Sequence, residues 1–123
     1  MSTIKANTLL HSDGSTTNPP AIPALDKRMA KAWITFTGTG TIAINDSYNI
    51  SSLTDNSTGI YTFSFTTAMA NANYSTLVTN DNGATTASTR GVPSASSQQV
   101  SGYYNHNNTY FDDARITAVV FSS

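Results

Sequence analysis

The ten residues "GYYNHNNTYF", 102–111, concentrate the side chains best suited to touching another molecule. Tyr103, Tyr104 and Tyr110 flank Asn105, His106, Asn107 and Asn108. Rings beside amides suit a sugar, because a ring stacks on apolar C–H faces while Asn bonds hydroxyls. With Arg90, from the strand predicted upstream, they form the candidate binding set. A plainer account fits the same letters: alternate tyrosines fill a core and the asparagines make a turn.

Catalytic groupings are harder to assemble. Asp112 and Asp113 are neighbours, but successive strand side chains point to opposite faces, which makes adjacency a poor acid–base pair. The chain has no Glu, and most of its other aspartates sit in turn-like sequence, where Asp is expected anyway. His11 and His106 lack the HxH or HExxH spacing of a zinc site, and Cys is absent. No GxSxG elbow supports a nucleophilic serine. "GTGTIA" lacks the GxGxxG spacing and the helix that would make it a phosphate loop. The expectation is a protein that is not an enzyme, with no catalytic residues, metal or cofactor.

Composition narrows the partners. Seven Asp against six Lys plus Arg leave a formal net charge of -1. Nucleic-acid binding needs a concentrated basic stripe, so nucleic acid is not an expected partner. No run approaches the roughly 20 apolar residues of a membrane span, so membrane insertion is not expected either. The start, "MSTIKANTLLHSDG", carries no apolar segment of signal-peptide length, so Sec export is not expected. Ser, Thr and Asn make up well over a third of the 123 residues, which favours turns and solvent-facing strand positions over helix interiors.

These side chains must be held by β-structure. Residues 1–31 read as an appendage: an arm, "STIKANTLL", a Pro-rich linker, and one short helix in "ALDKRMAKA". Asp26 would complement the start of that helix and Lys31 its end. Leu25 and Met29 share one face, too small for an isolated helix, so the stub needs its own body or other copies of the chain. From Ala32 the period is two. "AWITF" sets Ile34 and Phe36 against Trp33 and Thr35, with the Trp33 indole expected to plug the end of the core. Ile42 and Ile44 are expected inward, and "SYNISSL" contributes Tyr48 and Ile50. A multi-residue turn over 55–59 leads into Tyr61, Phe63 and Phe65. "ANYSTLVTN" ends in "NDNG", a hairpin signal. "TTASTRGV", "QQVSGYY" and "ARITAVVFSS" complete about eight short strands, the pattern of an all-β antiparallel sandwich over 32–123.

The run over 30–74 resembles a module of bacteriophage tail fibres and related virion proteins. The likeness lies in Ala32-Trp33, in Phe-x-Gly-Thr-Gly at 36–40, in Ser-x-x-Asp-Asn-x-x-Gly-x-Tyr-Thr at 52–62, and in Phe-Thr-Thr-Ala-Met at 65–69. The opening "MSTIKANTLL…SDG" is similar to the starts of structural proteins of marine phages, especially cyanophages. Ser57 and Ile60 depart from the pattern, where Gly and a polar residue are usual. The resemblance implies a virion protein, a homotrimeric tail fibre or tail-tip adhesin that binds the host surface non-covalently. Its expected partners are its own copies, other tail or virion proteins through residues 1–31, and host surface polysaccharide. Ile4, Leu9, Leu10, Leu25 and Met29 are the attachment and oligomerisation candidates. The implied place is the phage tail, or else the capsid exterior, with synthesis in the host cytoplasm and release by lysis. The alternative is a head decoration or tail connector protein with a purely structural role. No catalytic residue comes with the likeness.

Overall fold

Alternation decides the architecture. In a computed structural model, described over residues 2–8, 10, 13, 14, 16, 23–104 and 106–123, β1 (Ala32–Thr37) buries every second side chain. So do β4 (Ile60–Phe65) and β9 (Ile116–Phe121). The remaining strands are β2 (Ala43–Tyr48), β3 (Ile50–Ser57), β5 (Ser75–Asn80), β6 (Thr85–Ser94), β7 (Ser97–Tyr104) and the short β8 (Thr109–Tyr110). They form two antiparallel sheets, one in the order β2-β1-β9-β5, the other β3-β4-β7-β6 with β8 pairing β7. This is the expected all-β sandwich.

Its core is the layer between the sheets. Ile34, Phe36, Ile116 and Val120 from the first sheet join Tyr61, Phe63 and Val100 from the second. Each such side chain contributes about 1.5–3 kcal/mol by leaving water. The Phe36 and Tyr61 rings meet edge to face across the layer, 5.1 Å between centroids. Phe65 sits edge-on between Phe63 and Tyr74, at 5.8 and 5.6 Å.

The resemblance-bearing residues have physical work in this scaffold. Gly59 closes the β3–β4 hairpin at φ 66°, and a Cβ there would lie 2.5 Å from the Phe111 nitrogen. At Gly38, a Cβ would lie 2.5 Å from the Tyr61 hydroxyl and 2.8 Å from the Asp113 carbonyl oxygen. Between β2 and β3 the chain changes sheet at Asn49, whose φ is 56°. The Asn49 amide stitches this corner, donating to the Lys31 and Thr67 carbonyls (3.0 Å each) and accepting from the Thr67 N–H (2.7 Å).

Several expectations are corrected. The helix is a single turn, α1 (Pro23–Asp26). Beyond it the Lys31 N–H donates to the Val120 carbonyl (2.8 Å), which draws the chain into the sheet, and the Lys31 ammonium pairs with Asp26 instead of capping a helix end. Trp33 does not plug the core: Ala32 and Ile34 point inward, so Trp33 stands on the outer face, opposite Tyr48 and Val119. Ile44 lies opposite Phe36 but stays 40% exposed on the edge strand β2, just past a register shift. The turn before β4 is tighter than expected, since pairing continues to Ser57 opposite Ile60. "NDNG" does not make a hairpin. It carries the chain from β5 in the first sheet to β6 in the second, through an Asn82 turn that accepts the Ala84 N–H on its side chain and the Thr85 N–H on its carbonyl.

Candidate functional site

Strand parity sorts the aromatic–amide cluster. Val100 and Gln98 point into the sandwich, so Gln99, Ser101 and Tyr103 face outward from β7. Register places Tyr110 of β8 directly opposite Tyr103, and the two rings meet edge to face at 5.4 Å and 68°. From β6, Arg90 reaches the same spot. Its guanidinium carbon lies 4.6 Å from the Tyr110 ring centroid, and Nη1 donates to the Tyr110 hydroxyl. A cation over a ring gains about 0.5–1 kcal/mol at exposed sites and more where it is desolvated, and Arg90 and Tyr110 are both half-buried. The larger consequence is geometric: the long side chain is held in one posture.

Tyr104 belongs elsewhere. It projects to the other side of β7, where its ring meets His106 (6.2 Å) and Phe111 (6.1 Å). Asn107 and Asn108 are exposed in the β7–β8 turn, with Asn108 at φ 56°, a conformation Asn tolerates. Asn105 lies outside the described residues, as does Leu9. The structure therefore brings together Arg90, Tyr103 and Tyr110 and separates them from Tyr104 and His106. Among the oligomerisation candidates, Ile4 is 90% exposed, and Leu10, Leu25 and Met29 are also exposed.

Around Arg90 the outer face of the second sheet is made of hydroxyls and amides. Gln99 lies opposite both Arg90 and Thr62, and its amide donates to the Thr62 hydroxyl at 3.4 Å. Thr62 donates in turn to the Asn56 side chain (2.7 Å). Ser88 and Ser101 face each other with hydroxyls 3.3 Å apart. The neighbours of Arg90 were legible only as alternate positions of "STR" and "QQVS", and needed the register to be joined.

The first sheet turns a different face outward. Register lines up Tyr48, Trp33, Val119 and Leu77 in one row across its four strands. Leu77 is 62% exposed and Tyr48 38%. Beside it runs a polar row, Asp46, Thr35, Thr117 and Thr79, in which the Thr35 and Thr117 hydroxyls lie 3.2 Å apart.

The adjacent carboxylates hold the fold at one end. Asp112 accepts the Gly59 N–H (2.6 Å) and the Tyr61 hydroxyl (2.7 Å) on one oxygen. Asp113, fully buried, accepts the Thr85 hydroxyl (2.7 Å) and the Asn80 amide (2.8 Å) on separate oxygens, and its carbonyl accepts the Gly38 N–H (3.0 Å). Burial, followed by the Asp112 hydrogen bond and charge, pushes the Tyr61 hydroxyl pKa far above its ordinary value. Burial also raises that of Tyr74, whose hydroxyl lies 3.0 and 2.9 Å from the Ser94 and Ser97 carbonyls. In the sequence the two aspartates show only as a poor acid–base pair; this role rests on partners far off in the chain. Among the described residues no three His, Asp, Glu or Cys side chains gather into a metal-binding group.

Compared with protein-family models, curated proteins and solved structures, the chain matches none.

Proposed function

We propose that this chain is a phage virion protein, a homotrimeric tail-fibre or tail-tip adhesin that binds the host surface without catalysis. The observation that carries binding is the outer face of the second sheet, where Arg90, Tyr103 and Tyr110 stand together on a floor of hydroxyls and amides. Residues 30–74 supply the virion reading through their resemblance and form most of the scaffold, while Arg90, Tyr103 and Tyr110 all lie in the part that follows. Asp112 and Asp113 are engaged in hydrogen bonds that hold backbone and neighbouring strands, consistent with a non-enzymatic protein.

Self-association is supported by two uncovered apolar sets: the exposed Ile4, Leu10, Leu25 and Met29, and the Tyr48–Trp33–Val119–Leu77 row. Lys31, two residues before Trp33, is bonded to the first sheet through the Val120 carbonyl. Three copies would present three shallow sites, and avidity then offsets weak single-site affinity.

The test is adsorption. Purified chain should coat cells of the strain infected by virions that encode it, and should block virion adsorption. Protein that does neither would overturn the adhesin reading in favour of a head decoration or tail connector.

A further inference from the structure

Among the described residues, Arg90 is the one ionised group on its sheet face. Among the described residues, those that the register places outward around it are Thr62 and Ile60 of β4, Gln99, Ser101 and Tyr103 of β7, Thr86 and Ser88 of β6 and Tyr110 of β8, none of them acidic. Among the described residues the salt bridge is Lys31–Asp26, so no carboxylate neutralises Arg90. Its guanidinium nevertheless does not wave in solvent. It is half-buried, laid over the Tyr110 ring, and tied by Nη1 to the Tyr110 hydroxyl. A guanidinium has five N–H donors in a planar fork, and among the described residues only one makes a side-chain hydrogen bond here. An Arg held in place without an anion leaves its remaining donors for one from outside, and the fork geometry suits a carboxylate or sulfate taken through two parallel bonds.

Resting on the binding reading above, we propose that this face takes an anionic saccharide, its acid group on Arg90 and its sugar ring over Tyr103. The half-buried Tyr103 ring, edge to face with Tyr110, is the aromatic surface that would meet the C–H side of a sugar. Gln99, Thr62 and Ser88 stand within the same patch as donors and acceptors for hydroxyls. The neutral floor means that selection for charge rests on Arg90, while the sugar is held by residues that carry none. Uronic-acid and sulfated polymers share this chemistry, and the arms of the test separate them.

The probes are short oligosaccharides of polyglucuronate, dextran sulfate and neutral dextran, with polyglutamate as an acid without sugar, titrated calorimetrically into the full chain. Expected is binding to at least one acidic saccharide that weakens as salt rises, with dextran and polyglutamate at least about tenfold weaker. Arg90→Gln should lose about tenfold or more, and Arg90→Lys should lose affinity as well, since it keeps charge but not the fork. Ser88→Asp gives a second route should Arg90→Gln not fold: it sets a carboxylate two residues away on the same face, at an exposed site, and should abolish binding with Arg90 still present. Equal binding of dextran or polyglutamate, or unchanged affinity in Ser88→Asp, would overturn the proposal, as would no binding of either acidic saccharide. Protein that coats host cells equally well with and without Arg90 would refute this site and leave the adhesin reading standing. Arg90-dependent saccharide binding without cell coating would do the reverse.

Discussion

Replacing Asp113 by Ala would remove a carboxylate that is 0% exposed and bonded through both oxygens, at 2.7 Å from the Thr85 hydroxyl and 2.8 Å from the Asn80 amide. Hydrogen bonds to a charged group contribute about 1.5–3 kcal/mol each. Two effects reduce the loss. The buried charge no longer costs desolvation, and Thr85 retains the Asn82 carbonyl at 3.2 Å as an alternative acceptor. A void where the carboxylate stood acts the other way. The net expectation is a loss of about 2–4 kcal/mol, because removing one partner strands donors in the interior. For a chain of 123 residues, an unfolding entropy of about 2.1 cal/mol/K per residue converts this to a melting point lower by roughly 8–15 °C. Asp113→Asn keeps the volume and one acceptor oxygen, and the Asn80 amide can rotate to meet the new N–H, so its loss should be about half as large or less. Near-ultraviolet circular dichroism, which reads the packed aromatics, follows both transitions. A melting point for Asp113→Ala within about 3 °C of the parent would refute the claim that these bonds hold the end of the sandwich.

Gly59→Ala should cost about 3 kcal/mol or more, since the residue combines φ 66° with a Cβ position 2.5 Å from the Phe111 nitrogen; urea unfolding measures it. Tyr61 ionises near pH 10 when unfolded but resists ionisation when folded, so its stabilisation is complete below pH 10 and is lost as pH rises above it. The slope should reach about 1.4 kcal/mol per pH unit from this residue, with Tyr74 adding in the same direction, and Tyr61→Phe should flatten the decline by one proton. Leu77→Asp, at a position 62% exposed, should leave the melting point nearly unchanged while lowering the mass seen by light scattering from trimer toward monomer. A monomeric parent chain would refute the self-association account.

The two-residue period over "AWITF" and "YTFSF" was enough to place Ile34, Phe36, Tyr61 and Phe63 in one core, since strand parity is a local property. The same rule, applied to Ala32 and Ile34, already put Trp33 outside; expecting its indole in the core gave size precedence over parity. Pairing across the sheets was not legible. "NDNG" is a hairpin signal wherever its flanking strands are neighbours, and only the three-dimensional arrangement assigns β5 to β9 and β6 to β7. For the binding face, Arg90, Tyr103 and Tyr110 could be named from residue type. Parity alone would have parted Tyr103 from Tyr104, but joining Tyr103 to Tyr110 required β8, whose two residues are too few to leave a periodic trace. Asp113 gave no signal of its own, because its partners lie 28 and 33 residues away.

Electron microscopy tests the proposed tail location most directly. A gold-labelled antibody against the chain, applied to virions whose genome encodes it, should mark the distal end of the tail. Gold over the head, or virions left unlabelled, would contradict the tail adhesin account.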